Sequence, residues 1–111
     1  FLAAFNAGDT AALDQLYEPD GVLVPRPGFP TTGPGRAAAN GWLLGLGLPM
    51  QAQVRHSDVA GDIALLVVDW RVQGTGPDGA AVDLSGTATD VVRRGGDGTW
   101  RYVIDNPQGC A

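Results

Sequence analysis

Two aspartates in the last quarter of this 111-residue chain, Asp90 and Asp105, are the first candidates for chemistry. From Val82 to Val92, every second residue is apolar or glycine except Asp90, and the residues between them are mostly polar. In a strand, this alternation directs Asp90 to the buried face. A carboxyl group in apolar surroundings has a raised pKa and can donate its proton to an oxygen. The alternative is a structural aspartate satisfied by main-chain groups or an arginine.

Three further residues could assist such a pair. Asp69 and Arg71 lie two apart in a β-rich run, where a carboxylate and an arginine could take part in acid–base chemistry. The alternative for Asp69 and Arg71 is an exposed ion pair. His56, the chain's one histidine, is either a general base or a surface residue.

The sequence predicts neither a metal nor a cofactor. A single histidine has no spaced partners for a metal site, and the single Cys110 excludes an internal disulfide and a zinc site built on thiolates. Gly33-Pro34-Gly35-Arg36 precedes a predicted helix but lacks the glycine spacing and lysine of a phosphate-binding loop.

The second half of the chain must position these residues, and its pattern predicts strands. Two β-rich runs, 82–94 and 99–106, flank the glycine-rich turn Gly95–Gly98, which predicts a β-hairpin. Further strands are predicted over 51–58 and 63–73, joined by a turn at 60–62.

The first half of the chain is predicted to be helical. Helices are expected around 1–5, 11–17 and 36–46, with a turn at 18–21, a short strand at 22–24 and a Pro- and Gly-rich loop over 25–35. Asp9 or Thr10 suits the N-cap of the second helix. The fold class is therefore α+β, with N-terminal helices packed on a curved, mostly antiparallel sheet.

Length and charge restrict the class of protein. The sequence predicts one domain over 1–111, with a first helix whose opening turns precede Phe1. The net charge is −5 and all seven basic residues are arginines, which argues against nucleic-acid binding. We find no apolar run of membrane-spanning length and no signal-peptide pattern, and we expect a cytoplasmic protein without a membrane partner.

Several short motifs resemble the nuclear transport factor 2-like superfamily, which includes ketosteroid isomerases, SnoaL-type polyketide cyclases and limonene epoxide hydrolase. The matching segments are Phe5-Asn6-Ala7-Gly8-Asp9, Leu16 to Val22, Gly33 to Ala38, and Asp97-Gly98-Thr99-Trp100-Arg101. The resemblance implies a cone-shaped α+β barrel with a pocket between the helices and the concave sheet face. It also implies a homodimer formed through the convex face.

Compared with ketosteroid isomerases, the chain keeps one of three functional positions. Ketosteroid isomerases use a carboxylate as the general base, and a tyrosine and a protonated aspartate as donors to the oxyanion. In this chain the position of the base falls on Val24 or Pro25 and that of the tyrosine on Phe1. The position of the protonated aspartate falls on Asp90. The superfamily's isomerase chemistry itself is well established. This departure argues against a ketosteroid isomerase.

Compared with limonene epoxide hydrolase, Asp105 matches the last-strand aspartate, and Asp69 and Arg71 match the Asp and Arg in spacing but not in order. The resemblance places Val103 and Asp105 in the pocket and Trp100 and Tyr102 on the convex face. The apolar pattern of Trp100, Tyr102 and Ile104 indicates the reverse. The orientation of the last strand stays open at this point.

Two functions are compatible with these residues. The first is a small-molecule-binding domain with an apolar pocket whose ligand contacts are expected from Phe5, Tyr17, Val24, Trp42 and Val103. The second is a cofactor-free isomerase, cyclase or epoxide hydrolase acting on an apolar, oxygen-bearing substrate through Asp90 and Asp105, with Asp69, Arg71 or His56 assisting.

Overall fold

A computed structural model describes residues 1–109 of the chain, so the prediction made for Cys110 lies outside the described residues. Its helices are short: α1 spans Leu2–Asn6, α2 spans Thr10–Asp14 and α3 spans Gly33–Leu44. The Asp9 side chain caps α2 by accepting a hydrogen bond from the Ala12 main-chain N–H at 3.0 Å. The second helix ends earlier than predicted because the chain becomes a strand at Tyr17.

Five strands form one sheet in the order β1-β5-β4-β3-β2. The strands are β1 (Tyr17–Leu23), β2 (Met50–Ala60), β3 (Ile63–Thr75), β4 (Ala81–Arg94) and β5 (Trp100–Asp105). β1 pairs with β5 in parallel, and the other neighbours are antiparallel. The predicted α+β class with helices on a mostly antiparallel sheet is confirmed, as is the hairpin around Gly95–Gly98.

The predicted turn over 18–21 is wrong, because these residues lie inside β1. Residues 18–21 form an irregular part of the strand instead, where the register with β5 shifts between Tyr17 and Val22. Gly21 is required there: a Cβ at this position would lie 2.8 Å from the Tyr102 carbonyl oxygen. A side chain would therefore push β1 away from β5.

The main hydrophobic core lies between the helices and one end of the sheet. Its buried members are Phe5, Leu13, Met50 and Val72, and partly buried leucines from α3 and the following loop pack around them. The same inner face of the sheet continues beyond this core as the wall of a cavity.

None of the helices within residues 1–109 has both the length and the apolar character needed to cross a membrane.

Candidate functional site

A cavity of about 540 Å³ lies between α3, the start of the chain and the inner face of the sheet. Most of its lining is aliphatic or aromatic, from Phe1, Leu2, Leu23, Pro25, Ala39, Trp42, Leu43, Met50, Ala52, Val54, Leu66, Val68, Trp70, Leu84, Ala88, Tyr102 and Pro107. The remaining lining residues are Asn40, Asp90, Asp105 and Gln108. No arginine, lysine or histidine lines the cavity within residues 1–109.

Asp90 enters the cavity from β4 and is only 4% exposed. Its neighbours on the same face, Ala88 and Val92, are buried apolar residues, as the sequence pattern predicted. The main-chain N–H of Asn106 donates to Asp90 Oδ1 at 3.0 Å. This bond ties the carboxyl to the segment that follows β5.

Asp105 enters the same cavity from the end of β5 and is 7% exposed. The Tyr17 hydroxyl donates to Asp105 Oδ2 at 2.5 Å, and Tyr17 itself is 3% exposed. The strand is anchored at this point, because the main-chain N–H of Val24 donates to the Asp105 carbonyl at 2.9 Å.

The two carboxyl groups are within hydrogen-bonding reach of each other, so a charge on one opposes ionisation of the other. Burial, the charge of Asp105 and the bond between the two carboxyls raise the pKa of Asp90 to about 8. Burial also raises the pKa of Asp105, while the hydrogen bonds from Tyr17 and Asp90 oppose that rise. At neutral pH the pair therefore holds a proton in an apolar cavity, because two adjacent buried carboxylates cannot both ionise readily.

A β-bulge in β5 decides which residues face the cavity. Tyr102 pairs with Val92 and Ile104 pairs with Val91, so β5 contains one more residue than β4 over this stretch. The extra residue changes the alternation, which brings both Tyr102 and Asp105 to the cavity and leaves Ile104 40% exposed. The resemblance therefore placed Asp105 correctly in the pocket but placed Tyr102 wrongly on the convex face. The apolar alternation of the strand placed Tyr102 correctly and Asp105 wrongly.

A second set of contacts from α3 holds Tyr17. Asn40 Nδ2 donates to the Tyr17 hydroxyl at 3.3 Å, and the guanidinium of Arg36 lies 4.6 Å above the Tyr17 ring. Arg36 is 3% exposed; it pairs with Asp14 at 3.0 Å and donates to the carbonyls of Glu18 and Gly21. The Gly-Pro-Gly-Arg motif is thus the first turn of α3, and its arginine fixes β1 against the helix.

The prediction that Asp69 and Arg71 face the pocket is wrong. Both residues lie on the outer face of the sheet, since Val68 and Trp70 between and beside them line the inner cavity. Asp69 is bound by Arg55 at 2.8 and 3.0 Å, and Arg71 by Asp83 at 3.0 Å. Arg55 holds the pKa of Asp69 below its usual range. These are the exposed ion pairs of the alternative interpretation.

His56 also lies on the outer face, opposite Val67 and away from the carboxyl pair. β2 has a bulge between Val54 and His56, so Val54 lines the cavity and His56 is exposed. The expectation that His56 assists as a base in the pocket is therefore wrong.

Of the five residues expected to contact a ligand, one lines the cavity and four do not. Trp42 lines the cavity and is 65% exposed, which places it at the mouth. Phe5 lies in the core and Tyr17 is buried behind Asp105, so neither lines the cavity. Val24 and Val103 are also absent from the lining: Val24 lies between two lining residues, Leu23 and Pro25, and Val103 is the bulge residue of β5.

Sequence reasoning did not find Asn40 and Arg36 as parts of the site. They lie four residues apart on α3, which places them on one face of the helix. Two polar residues at this spacing, in a helix otherwise rich in Ala, Gly and Leu, are the sequence feature that could have predicted a polar face on α3. Trp70 lines the cavity from β3, and its indole Nε1 donates to the Pro107 carbonyl at 2.7 Å.

Within the described residues, no group of three His, Cys, Asp or Glu side chains is arranged to hold a metal ion.

This fold, with a cavity between short helices and the inner face of a mixed sheet, is that of the nuclear transport factor 2-like proteins. A family match over residues 1–103 is more specific: the chain belongs to the SnoaL-like domain family. No curated protein matches the chain in sequence.

Solved structures confirm the fold. A conserved protein from Planctomyces limnophilus is 23% identical with a TM-score of 0.83, covering 94% of this chain and 83% of that one. A nuclear transport factor 2-like superfamily protein from Salmonella enterica is 20% identical with a TM-score of 0.75, covering 99% and 83%. A ketosteroid isomerase-like protein from Erwinia carotovora is 20% identical with a TM-score of 0.73, covering 94% and 83%.

Proposed function

We propose that this domain binds a small apolar molecule carrying one uncharged oxygen function, and that the oxygen lies at the Asp90–Asp105 pair. The observation that carries this proposal is that both carboxyls open into one cavity whose walls are mostly apolar. Such walls supply most of the binding free energy, and a few polar groups fix the orientation of the ligand. A carbonyl, hydroxyl or epoxide oxygen can accept a hydrogen bond from the carboxyl that stays protonated at neutral pH.

The charge of the site argues against anionic ligands. The pair is negative when one member is ionised, and the described lining contains no basic side chain. A carboxylate or phosphate would therefore lose its hydration without gaining a cation. An uncharged oxygen avoids this cost.

A matched series of probes tests the ligand class. We expect 1-tetralone and 1-tetralol to bind in isothermal titration calorimetry, and 1,2,3,4-tetrahydronaphthalene-1-carboxylate to bind at least tenfold more weakly. Leu66→Trp, which fills the apolar part of the cavity, should abolish binding, whereas Asp69→Asn on the outer face should leave it unchanged. Equal or tighter binding of the carboxylate would contradict the proposal.

A cofactor-free enzyme is the second candidate, and the coupled carboxyl pair is the observation that favours it. One member can remove a proton from the carbon beside a carbonyl while the other gives a proton to the carbonyl oxygen, which yields the enol. Return of a proton to a different carbon would complete an isomerisation. The same acid and base could instead activate water and protonate an epoxide.

Proton exchange measures this chemistry without knowledge of the natural substrate. With 1-tetralone in D₂O, we expect the protein to accelerate loss of the α-proton NMR signal, and Asp90→Asn and Asp105→Asn each to remove that acceleration. Asp69→Asn is the matched control and should retain it. Ligand binding without exchange or epoxide opening would leave a binding domain as the function.

We also propose that two copies associate through the outer sheet face. Ile63, Leu65 and Ile104 are 38–41% exposed there, and Leu65 and Ile104 both pair with Val91, so they form one apolar patch. Burying it against a second copy would remove this area from water. We expect a dimer in sedimentation at micromolar concentration and a monomer for Leu65→Arg; a wild-type monomer would contradict the dimer.

A further inference from the structure

Tyr17 contacts the carboxyl pair from behind, outside the cavity. It is 3% exposed and is not part of the lining, so a ligand in the cavity reaches Asp105 rather than Tyr17. Its hydroxyl donates to Asp105 Oδ2 at 2.5 Å. Any effect of Tyr17 on a ligand must therefore pass through Asp105.

The two carboxyls receive different hydrogen bonds. Asp105 accepts from the Tyr17 hydroxyl, a donor attached to a rigid ring. Asp90 accepts instead from a peptide donor, the main-chain N–H of Asn106, at 3.0 Å. A hydrogen bond from a hydroxyl to a carboxylate is charge-assisted and favours the ionised form of its acceptor.

The position of the Tyr17 hydroxyl is itself fixed from α3. Asn40 Nδ2 donates to the phenolic oxygen at 3.3 Å, and a hydroxyl that accepts one bond is a better donor in the next. The guanidinium of Arg36, 4.6 Å above the ring, holds the ring by a cation–π contact. Burial and the neighbouring Asp105 raise the pKa of Tyr17, so its hydroxyl stays protonated as a donor.

We infer that Tyr17 is a positioning residue that assigns the protons of the pair: it makes Asp105 the ionised member, the base, and leaves the proton on Asp90, the acid. This inference rests on the proposed function for its consequence, because it specifies which carboxyl removes a proton from the ligand and which one donates. In the free protein the proton of Asp90 is directed to Asp105, and an incoming ligand oxygen competes for it.

The charged and titratable groups packed around Asp105 are compatible with this assignment. They are Asp90 on β4, Tyr102 on β5, Tyr17 on β1 and Arg36 on α3, with Asp14 on α2 paired to Arg36. Arg36 is directed to Asp14 and to two main-chain carbonyls, and within the described residues only Tyr17 and Asp90 hydrogen-bond the Asp105 side chain.

Titration of the aspartate carboxyl carbons by NMR, on ¹³C-labelled protein without ligand, tests the inference. In the wild type we expect Asp105 to ionise at the lower pH and Asp90 at the higher. Tyr17→Phe should raise the Asp105 midpoint by about one pH unit, a tenfold weaker ionisation, because the hydrogen bond to the carboxylate is lost. Asp69→Asn is the control: Arg55 and Thr87 bind this carboxyl on the outer face of the sheet, away from the pair, so the midpoints should not move.

Two outcomes would overturn the inference: ionisation of Asp90 before Asp105 in the wild type, or an unchanged Asp105 midpoint in folded Tyr17→Phe. If Tyr17→Phe does not fold, Asn40→Ala replaces it, with an upward change smaller than tenfold expected and no change contradictory. The ligand-free titration also separates the two claims. Shifted midpoints with no binding of 1-tetralone would refute the proposed function alone, and binding with unshifted midpoints would refute the role of Tyr17 alone.

Discussion

Asp90→Asn is expected to stabilise the protein at neutral pH, although it removes a site residue. The amide is the same size as the carboxyl, can accept from the Asn106 N–H and can donate to Asp105 as protonated Asp90 does. It therefore mimics protonated Asp90 at every pH. The difference from the wild type lies in the unfolded chain, where Asp90 ionises and the substituted amide has no proton to lose.

The magnitude follows from the raised pKa of Asp90, about 8 against an ordinary 3.8. Between these values the native state holds a proton that the unfolded state has lost, so wild-type stability falls as pH rises, by about 1.4 kcal/mol per pH unit. Below pH 3.8 both states are protonated and the penalty vanishes; above pH 8 it is complete. The Asp90→Asn variant does not carry this penalty. Its free energy of unfolding should therefore exceed that of the wild type by about 4 kcal/mol at pH 7.

Urea unfolding at pH 5, 6, 7 and 8 measures this advantage. We expect the gap between variant and wild type to widen steadily up to pH 8. Asp97→Asn is the matched control: Arg101 lowers the pKa of Asp97 to about 2, so its contribution is fully present above pH 3.8 and is lost only as pH falls through about 2. Its gap to the wild type should therefore stay constant over the same range. A constant gap for Asp90→Asn as well would refute the reasoning.

Three smaller predictions follow from other contacts. Arg36→Met should cost about 3 kcal/mol in urea unfolding, because it leaves two main-chain carbonyls and Asp14 without their donor; a loss below about 1 kcal/mol would contradict a structural role for Arg36. Trp70→Phe should cost about 1–2 kcal/mol by removing the bond to the Pro107 carbonyl, and an unchanged unfolding midpoint would count against that bond. Asp69→Asn should leave the urea unfolding midpoint close to that of the wild type, since its ion pair with Arg55 is exposed; a clear fall in the midpoint would contradict this expectation.

The order of helices and strands could be predicted from the sequence because each element has a local signal. A long run of β-branched and aliphatic residues identified β3, alternation identified β4, and the Gly95–Gly98 turn identified the hairpin. The boundaries of β1 could not be predicted, since the Pro-Asp-Gly composition that usually makes a turn is here drawn into a strand by pairing with β5. Tertiary pairing overrides local preference at such positions.

Of the site, Asp90 could be predicted because its own strand is regular. Asp105 could not be placed from pattern, since one bulge residue in β5 reverses the alternation and leaves no local trace in the sequence. The same effect in β2 decides that Val54 faces the cavity and His56 does not.

The error over Asp69 and Arg71 has a different cause. β3 is apolar on one face and mixed on the other, and the sequence does not show that each charged residue of the mixed face has a partner on a neighbouring strand. The contacts of Tyr17 with Asp105 and of Arg36 with Tyr17 join residues 88 and 19 positions apart. Such pairs depend on how elements pack, which no local pattern of side chains encodes.

A crystal structure of the protein with 1-tetralone tests the central claim most directly, because it shows where the ligand oxygen lies. We predict the rings among Trp42, Leu66 and Val68 and the ketone oxygen within hydrogen-bonding distance of the Asp90 or Asp105 carboxyl. A ketone oxygen directed to the mouth at Trp42 would contradict the account. So would a ligand bound only on the outer sheet face, in the shallow groove lined by Gln53, Asp69 and Ser85.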